Sequence, residues 1–333
     1  MMSEQGDESH VRSSTVLTVA TLVLVAGSAR LSAEAINPPT TPQTAPMNKQ
    51  EKKNLDMVLE WWRVVIQNRD LDATSKYQAE DYIQHNPNLN TGRAGFVEFF
   101  GKLPKPNIAD PSKLANQPVV KGAKGDYVWL IFETEQKDPR DPSKTYHSNS
   151  FDILRIQNGK VQEHWDSAQK FPGSGNVNTG VSPKPPMEWN TGASKMTKEE
   201  KETEALAIEE LKDMLQYGHL ELADKTMDPG YIQHNPNVPQ GRDGFKAFMS
   251  KIPGRTPADA KPIKPEWLNP PVLTLIDGPY SVMMWDRMAK DPDDPSKMYK
   301  WNHYDVVRME NGHIKEHWDE AVINPPRPNA NKQ

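Results

Sequence analysis

The chain has 333 residues, 35% of them hydrophobic and 26% charged, enough for two ordinary domains that each bury a core without metal or disulfide staples. A net charge of −5 with interspersed signs offers no basic stripe and argues against a nucleic-acid partner. The lack of cysteine excludes thiol catalysis, thiolate metal ligation and disulfides, while 30 prolines and a mean hydropathy of −0.79 assign much of the chain to linkers or long loops.

From the N-terminus, Arg12 precedes an uncharged run, Ser13 to Ala29, whose apolar stretch Val16 to Ala26 is too short to span a bilayer. Ala33-Glu34-Ala35 follows as a small-x-small cleavage site, so residues 1–35 read as a signal peptide, and the mature protein is expected to be secreted or periplasmic, off the membrane once cleaved. Residues 36–50 form a Pro/Thr/Gln-rich stretch without hydrophobic period, read as an extended spacer carrying no chemistry.

The chain then repeats itself. Tyr82-Ile-Gln-His-Asn-Pro-Asn88 recurs as Tyr231-Ile-Gln-His-Asn-Pro-Asn237, and Gly92-Arg93 with Gly95-Phe96 recur as Gly241-Arg242 with Gly244-Phe245 at the same spacing. Lys137 to Lys144 returns at Lys290 to Lys297, and Glu163-His-Trp-Asp166 as Glu316-His-Trp-Asp319, at a slightly larger spacing explained by an insertion within Lys261 to Pro271. Two copies are therefore expected, 51–170 and 197–324, joined by a Gly/Pro/Asn-rich linker over 171–196 and followed by a disordered tail over 325–333.

Within each copy, Glu51 to Asn68 and Glu199 to Tyr217 carry helical periodicity. A short second helix ends before the Tyr82 or Tyr231 motif, and Gly92 to Leu103 makes a third with Phe96, Phe99 and Phe100 on its apolar side. Strands follow: Pro118 to Lys121 and Tyr127 to Thr134 flank Lys124-Gly125-Asp126, and Thr145 to Ile156 and Lys160 to Ser167 flank Asn158-Gly159, a two-residue hairpin turn. Helices first and an antiparallel sheet after give an α+β class.

Strand alternation places His164 and Asp166 on one face and Glu163 and Trp165 on the other, an arrangement repeated by His317 and Asp319. A buried carboxylate beside an imidazole suits a general base next to a donor for developing negative charge. His85 and His234, in proline-braced loops, are candidates to reach over the same hollow, because four of the nine histidines fall at matched places in the copies. Gln84 and Asn86 are second-tier polar candidates, with hydrogen-bonding of the loop as their main expected job. Asn149, Trp129 and Phe132 in the first copy, and Asn302, Trp285 and His303 in the second, are candidate substrate-lining residues.

The His-Asn-Pro loop, Gly-Arg helix start, Asp-x-x-Arg strand, Asn-Gly turn and terminal Glu-His-Trp-Asp together resemble the SnoaL-like polyketide cyclase branch of the NTF2-like superfamily, over nearly the whole of both copies. The resemblance implies two cones of curved antiparallel sheet, each wrapped by about three N-terminal helices around a deep apolar pocket, with no required cofactor. It also implies an acid/base role in aldol ring closure for Asp166 and Asp319, with His85, His164, His234 and His317 polarising the substrate carbonyl. Family members are normally single domains, often dimeric through the sheet, so a fused pair would pack as an internal pseudodimer.

The leading expectation is a cofactor-independent cyclase or lyase acting on a small apolar carbonyl compound. Alternatives are a noncatalytic binder of small apolar ligands, and a metal site of His85, His164 and Asp166.

Overall fold

The computed structural model describes residues 35–174, 196–256 and 258–325. The expected signal peptide apart from Ala35, most of the expected linker and almost all of the expected tail lie outside these residues. The first unit runs β1 (Gln43–Thr44), α1 (Lys49–Trp61), a π-helical turn (Trp62–Gln67), α2 (Thr74–Tyr77), β2 (Gln78–Gln84), α3 (Gly92–Lys102), β3 (Val120–Lys124), β4 (Tyr127–Lys137), β5 (Thr145–Gln157) and β6 (Lys160–Asp166). The second runs α4 (Lys198–Ile208), a π-helical turn (Glu209–Met214), a 3₁₀ turn (Leu220–Leu222), α5 (Ala223–Thr226), β7 (Met227–Gln233), α6 (Gly241–Met249), β8 (Leu273–Asp277), β9 (Tyr280–Lys290), β10 (Met298–Glu310) and β11 (His313–Asp319).

Local chemistry explains where these elements begin and turn. The Asn48 side chain accepts from the backbone of Gln50 and Glu51 while Glu51 reaches back to Asn48 N, a capping box that starts α1; Thr197 and Glu200 start α4 in the same way. The β5–β6 hairpin closes on Asn158 (φ 53°) and Gly159 (φ 71°), the left-handed pair that a two-residue turn between right-twisted strands demands.

The class is α+β, with a six-stranded sheet ordered β1-β3-β4-β5-β6-β2 and a five-stranded sheet ordered β7-β11-β10-β9-β8. Both sheets are mixed rather than antiparallel. The Tyr82 and Tyr231 motifs fold as strands β2 and β7, parallel to β6 and β11, where a helix end and loop were expected. In β6 the register slips between Ile156↔Val161 and Arg155↔Glu163, a bulge that bends the strand and lets Val161 and His164 face the same side. The second unit slips at the equivalent place.

Each sheet has a helix-covered face. Leu55, Val58, Trp61, Phe96 and Phe100 pack there on Val128, Leu130, Phe132 and Leu154, and the second unit buries Leu211, Met214, Phe245, Met283, Trp285 and Val307 likewise. The other faces of the two sheets pack on one another through Trp129, Ile131, Phe151 and Trp165 on one side and Leu275, Val282, Tyr304 and Trp318 on the other. Residues 35–47 do not form a bare spacer. Here β1 extends the first sheet beside β3, Asn37 donates to the carbonyls of His147 and His234, and Gln43 donates to Glu316, so the arm ties both units together. Its Pro/Thr/Gln composition hid this, because the arm is held by hydrogen bonds at single polar side chains rather than by an apolar period.

Candidate active site

On the helix-covered face of the first sheet, Asp152 of β5 stands opposite Asp166 of β6, with His164 between them, and donor atoms of all three lie within 4.8 Å of one another. His164 Nε2 is 2.8 Å from Asp152 Oδ1, and its Nδ1 is 3.1 Å from the Tyr82 hydroxyl and 3.3 Å from Gln84 Nε2. The direction of these bonds follows from what each group can supply. Asn86 N–H donates to Gln84 Oε1, which turns the Gln84 amide nitrogen toward Tyr82 Oη, 2.9 Å away. Tyr82 therefore accepts from Gln84 and gives its own proton to His164 Nδ1, leaving the imidazole proton on Nε2, directed at Asp152.

Asn86 Nδ2 donates to Asp166 Oδ2, and Ala168 N donates to Oδ1. The indoles of Trp61 and Trp62 stand edge-on to His164 at 6.2 and 6.5 Å, and Phe132 stacks on Trp62 at 4.8 Å. Burial among these groups raises the Asp152 carboxyl to about 6 against the opposing pull of His164. Burial also works against the His164 cation, but the bond to Asp152 and the charges of Asp152 and Asp166 outweigh it and raise the imidazole. The Tyr82 hydroxyl is pushed well above its usual value by burial and by the two aspartates.

The second unit builds a different site on the same frame. Asp305, His317 and Asp319 come within 4.8 Å, and Asn235 Nδ2 donates to Asp319 as Asn86 does to Asp166. Where the first helix offers Trp61, the second offers Glu210, fully buried, whose Oε1 is 3.0 Å from His317 Nδ1 and accepts from the Tyr231 hydroxyl at 3.2 Å. His303 stands where the first unit has Ser150, with Nε2 3.1 Å from Asp305 and Nδ1 2.5 Å from Glu320. Although burial favours the neutral acid, His303 and His317 hold Asp305 far below the carboxylate range, and His303 itself is raised to about 11 by Asp305 and Glu320 despite its burial. Burial raises Asp319, against the pull of His317.

Several expected site residues lie elsewhere. His85 stacks on Trp165 at 4.6 Å and bonds Glu163 at 2.9 Å, and His234 stacks on Trp318 at 4.9 Å and bonds Glu316 at 2.8 Å, all on the sheet face opposite His164 and His317. The loops turn these imidazoles toward the junction between the sheets, where Arg155 and Arg308 complete each glutamate's pairing. A cation site of His85, His164 and Asp166 is thereby ruled out by geometry. Trp129 also lies at the junction, donating to Asp277 at 2.8 Å, and Asn149 donates to the Asp319 carbonyl. Asn302 shares the junction-facing side of β10 with Tyr304 and Val306 and donates to Asp286. Phe132, Trp285 and His303 do sit on the helix-covered faces.

Asp152 and Tyr82 were missed as chemistry, and Gln84 was only a second-tier candidate expected to brace the loop. Asp152 was visible as the strand partner of Asp166 across the Asn158-Gly159 turn, and Tyr82 and Gln84 would have been found by reading the repeated motif as a strand. The surface hollow bordered by Leu220, Glu221, Lys246, Ala247 and Ser250 contains none of these groups.

Residues 58–164, which include Tyr82, Asp152 and His164, match the family model described as a SnoaL-like domain. The first unit is a SnoaL-like domain. A candidate polyketide cyclase from Acidithiobacillus ferrooxidans is 18% identical over 36% of this chain and 89% of its own, with a TM-score of 0.26. An LEH-like epoxide hydrolase from M. tuberculosis is 13% identical over 35% of this chain and 83% of its own, at 0.24. A protein of unknown function with a cystatin-like fold from Xanthomonas campestris is 21% identical over 34% of this chain and 88% of its own, at 0.25. No curated protein matches the chain. Among the described residues, no helix is long and apolar enough to cross a membrane.

Proposed function

We propose that the SnoaL-like unit is a cofactor-independent acid/base catalyst for enolate chemistry, of the aldol cyclisation or condensation type, on a small apolar carbonyl compound. The observation that carries the reading is the Asp152–His164–Tyr82 chain, a carboxylate with a raised pKa held 2.8 Å from an imidazole inside an aromatic wall. Asp152, rather than Asp166, takes the proton α to the carbonyl, because it is the carboxylate bonded to His164. Asp166 is engaged by Asn86 and by the backbone of Ala168. The His164 Nε2–H then serves the oxyanion, and the indoles of Trp61 and Trp62 exclude the water that would screen both.

Further parts of this reading are that the chain arose as two copies of one domain, that the copies pack as an internal pseudodimer through their sheets, and that the protein works after export. The matched sequence motifs, the shared core between the sheets and the segment ending at Ala35 support these in turn.

The test is hydrogen–deuterium exchange and turnover of a panel of diketones by the wild-type protein and by Asp152→Asn and His164→Gln. Each variant is expected to lose about 10²–10⁴-fold in kcat with circular dichroism unchanged. Rates equal to wild type would refute the assignment. The second reading, a noncatalytic binder of apolar compounds, is favoured by the Trp62–Phe132 stack beside a nearly buried His164. Native mass spectrometry showing a retained ligand, chemically unchanged after incubation, would support it instead.

A further inference from the structure

We propose that the Asp305–His317–Asp319 cluster of the second unit binds a divalent first-row transition-metal ion. Three features of the geometry lead there, and they are independent of the chemistry assigned to the first unit. The first is the state of the imidazole. Tyr231 Oη accepts from Gln233 Nε2 at 3.1 Å and donates to Glu210 Oε1, so the remaining bond at that oxygen comes from a proton on His317 Nδ1. A carboxylate that anchors Nδ1–H orients the ring and leaves Nε2 as the ligating atom, the usual support for a metal-bound histidine. In the first unit Trp61 replaces Glu210, two donors face Nδ1, and the proton sits on Nε2. The same three residue types are there in the wrong tautomer for a metal.

The second feature is spacing. His317 Nε2 and Asp305 Oδ1 are 3.0 Å apart, and Asp319 offers its oxygen within 4.8 Å of both. Donor atoms at right angles around an ion with bonds of about 2.1 Å are themselves separated by about 3.0 Å, so an ion enters by displacing the shared proton without moving the strands.

The third is an unpartnered buried acceptor. Glu210 is fully buried, and its Oε2 has no hydrogen-bond partner among the described residues. Glu210, Asp305, Asp319 and Glu320 gather around the imidazoles of His303 and His317, with Asn235 donating to Asp319 and the charge of Arg255 reaching Asp305, so acidic groups outnumber basic ones where a dication would sit. One imidazole with two carboxylates suits Mn²⁺, Fe²⁺, Co²⁺ or Zn²⁺.

The experiment is equilibrium dialysis of the chelator-treated full chain against Zn²⁺ or Mn²⁺, with metal counted by mass spectrometry. Wild type is expected to take up one equivalent. Asp305→Asn/Asp319→Asn should weaken that uptake by at least about 100-fold, and Asp152→Asn/Asp166→Asn should leave it intact. No stoichiometric uptake by wild type, or equal loss in both double variants, overturns the proposal. Should the second-unit variant fail to fold, Co²⁺ loading of wild type decides. One exchangeable imidazole N–H resonance shifted far outside the diamagnetic range is expected from His317, and its absence in the Co²⁺-treated protein counts against the site.

Discussion

A single proton distinguishes the two clusters. In the SnoaL-like unit Tyr82 and Gln84 both present hydrogens to His164 Nδ1, whereas in the second unit Glu210 presents an acceptor to His317 Nδ1, so His317 carries a proton on Nδ1 that His164 lacks although histidine and both aspartates are matched. The acid/base assignment carries a sign. A base must be ionised to accept a proton, so with Asp152 at about 6 the rate is expected to rise with pH through that value and level off above it. Tyr82→Phe removes one of the two donors to Nδ1 and leaves Gln84 Nε2 without its shortest acceptor. We expect about a tenfold fall in kcat with KM nearly unchanged, measured across a pH series. A variant that changed KM alone would place Tyr82 in ligand packing instead.

At the scale of elements, the frame around each site rests on short signals that act locally. The capping box at Asn48 and Glu51 also reaches beyond its helix, since Glu51 Oε1 accepts from Gly125 N in the β3–β4 turn and Asn54 Nδ2 donates to the Gly125 carbonyl. Asn48→Ala should therefore cost about 1 kcal/mol of unfolding free energy, read from the urea midpoint at constant slope, as expected for a lost cap. The Asn158-Gly159 turn was legible from two letters because few residue pairs accept left-handed backbone twice in succession. The bulge at β6 was not legible. Nothing in Val161-Gln162-Glu163 marks an extra residue, and only the pairing with β5 and β2 creates it.

For the whole molecule, the decisive contact is the junction between the sheets. Trp129 donates there to Asp277, and Lys124 pairs with Glu200 across the units. Burial lifts Asp277 from the usual carboxylate range to about 7, opposed by the Trp129 bond. Between those values the folded state holds a proton that the unfolded chain has released, so stability falls as pH rises through that window, and the full penalty is felt above 7. Asp277→Asn keeps an acceptor for Trp129 and removes the penalty. It is expected to raise unfolding free energy at pH 8 by on the order of 2–4 kcal/mol and to bring little gain at pH 4. Denaturant titrations at the two pH values check this, and an equal effect at both would assign the change to packing.

The amino-acid sequence by itself determined the α+β class, the matched motifs, the hairpin turn and the shared face of His164 and Asp166, because propensity, turn chemistry and strand alternation act over a few residues. Tertiary structure decided which histidines meet the aspartates. His85 and His164 bind adjacent strand positions yet project to opposite faces, and that follows from the parallel register Gln84↔His164, a long-range pairing with no local signature. It also decided that Asp152 joins the site, that Glu210 differs in role from Trp61, and that residues 35–47 belong to the fold. Each of these depends on which side chain a sheet face or helix turn brings within about 3 Å of another, a distance set by packing rather than by any short run of sequence.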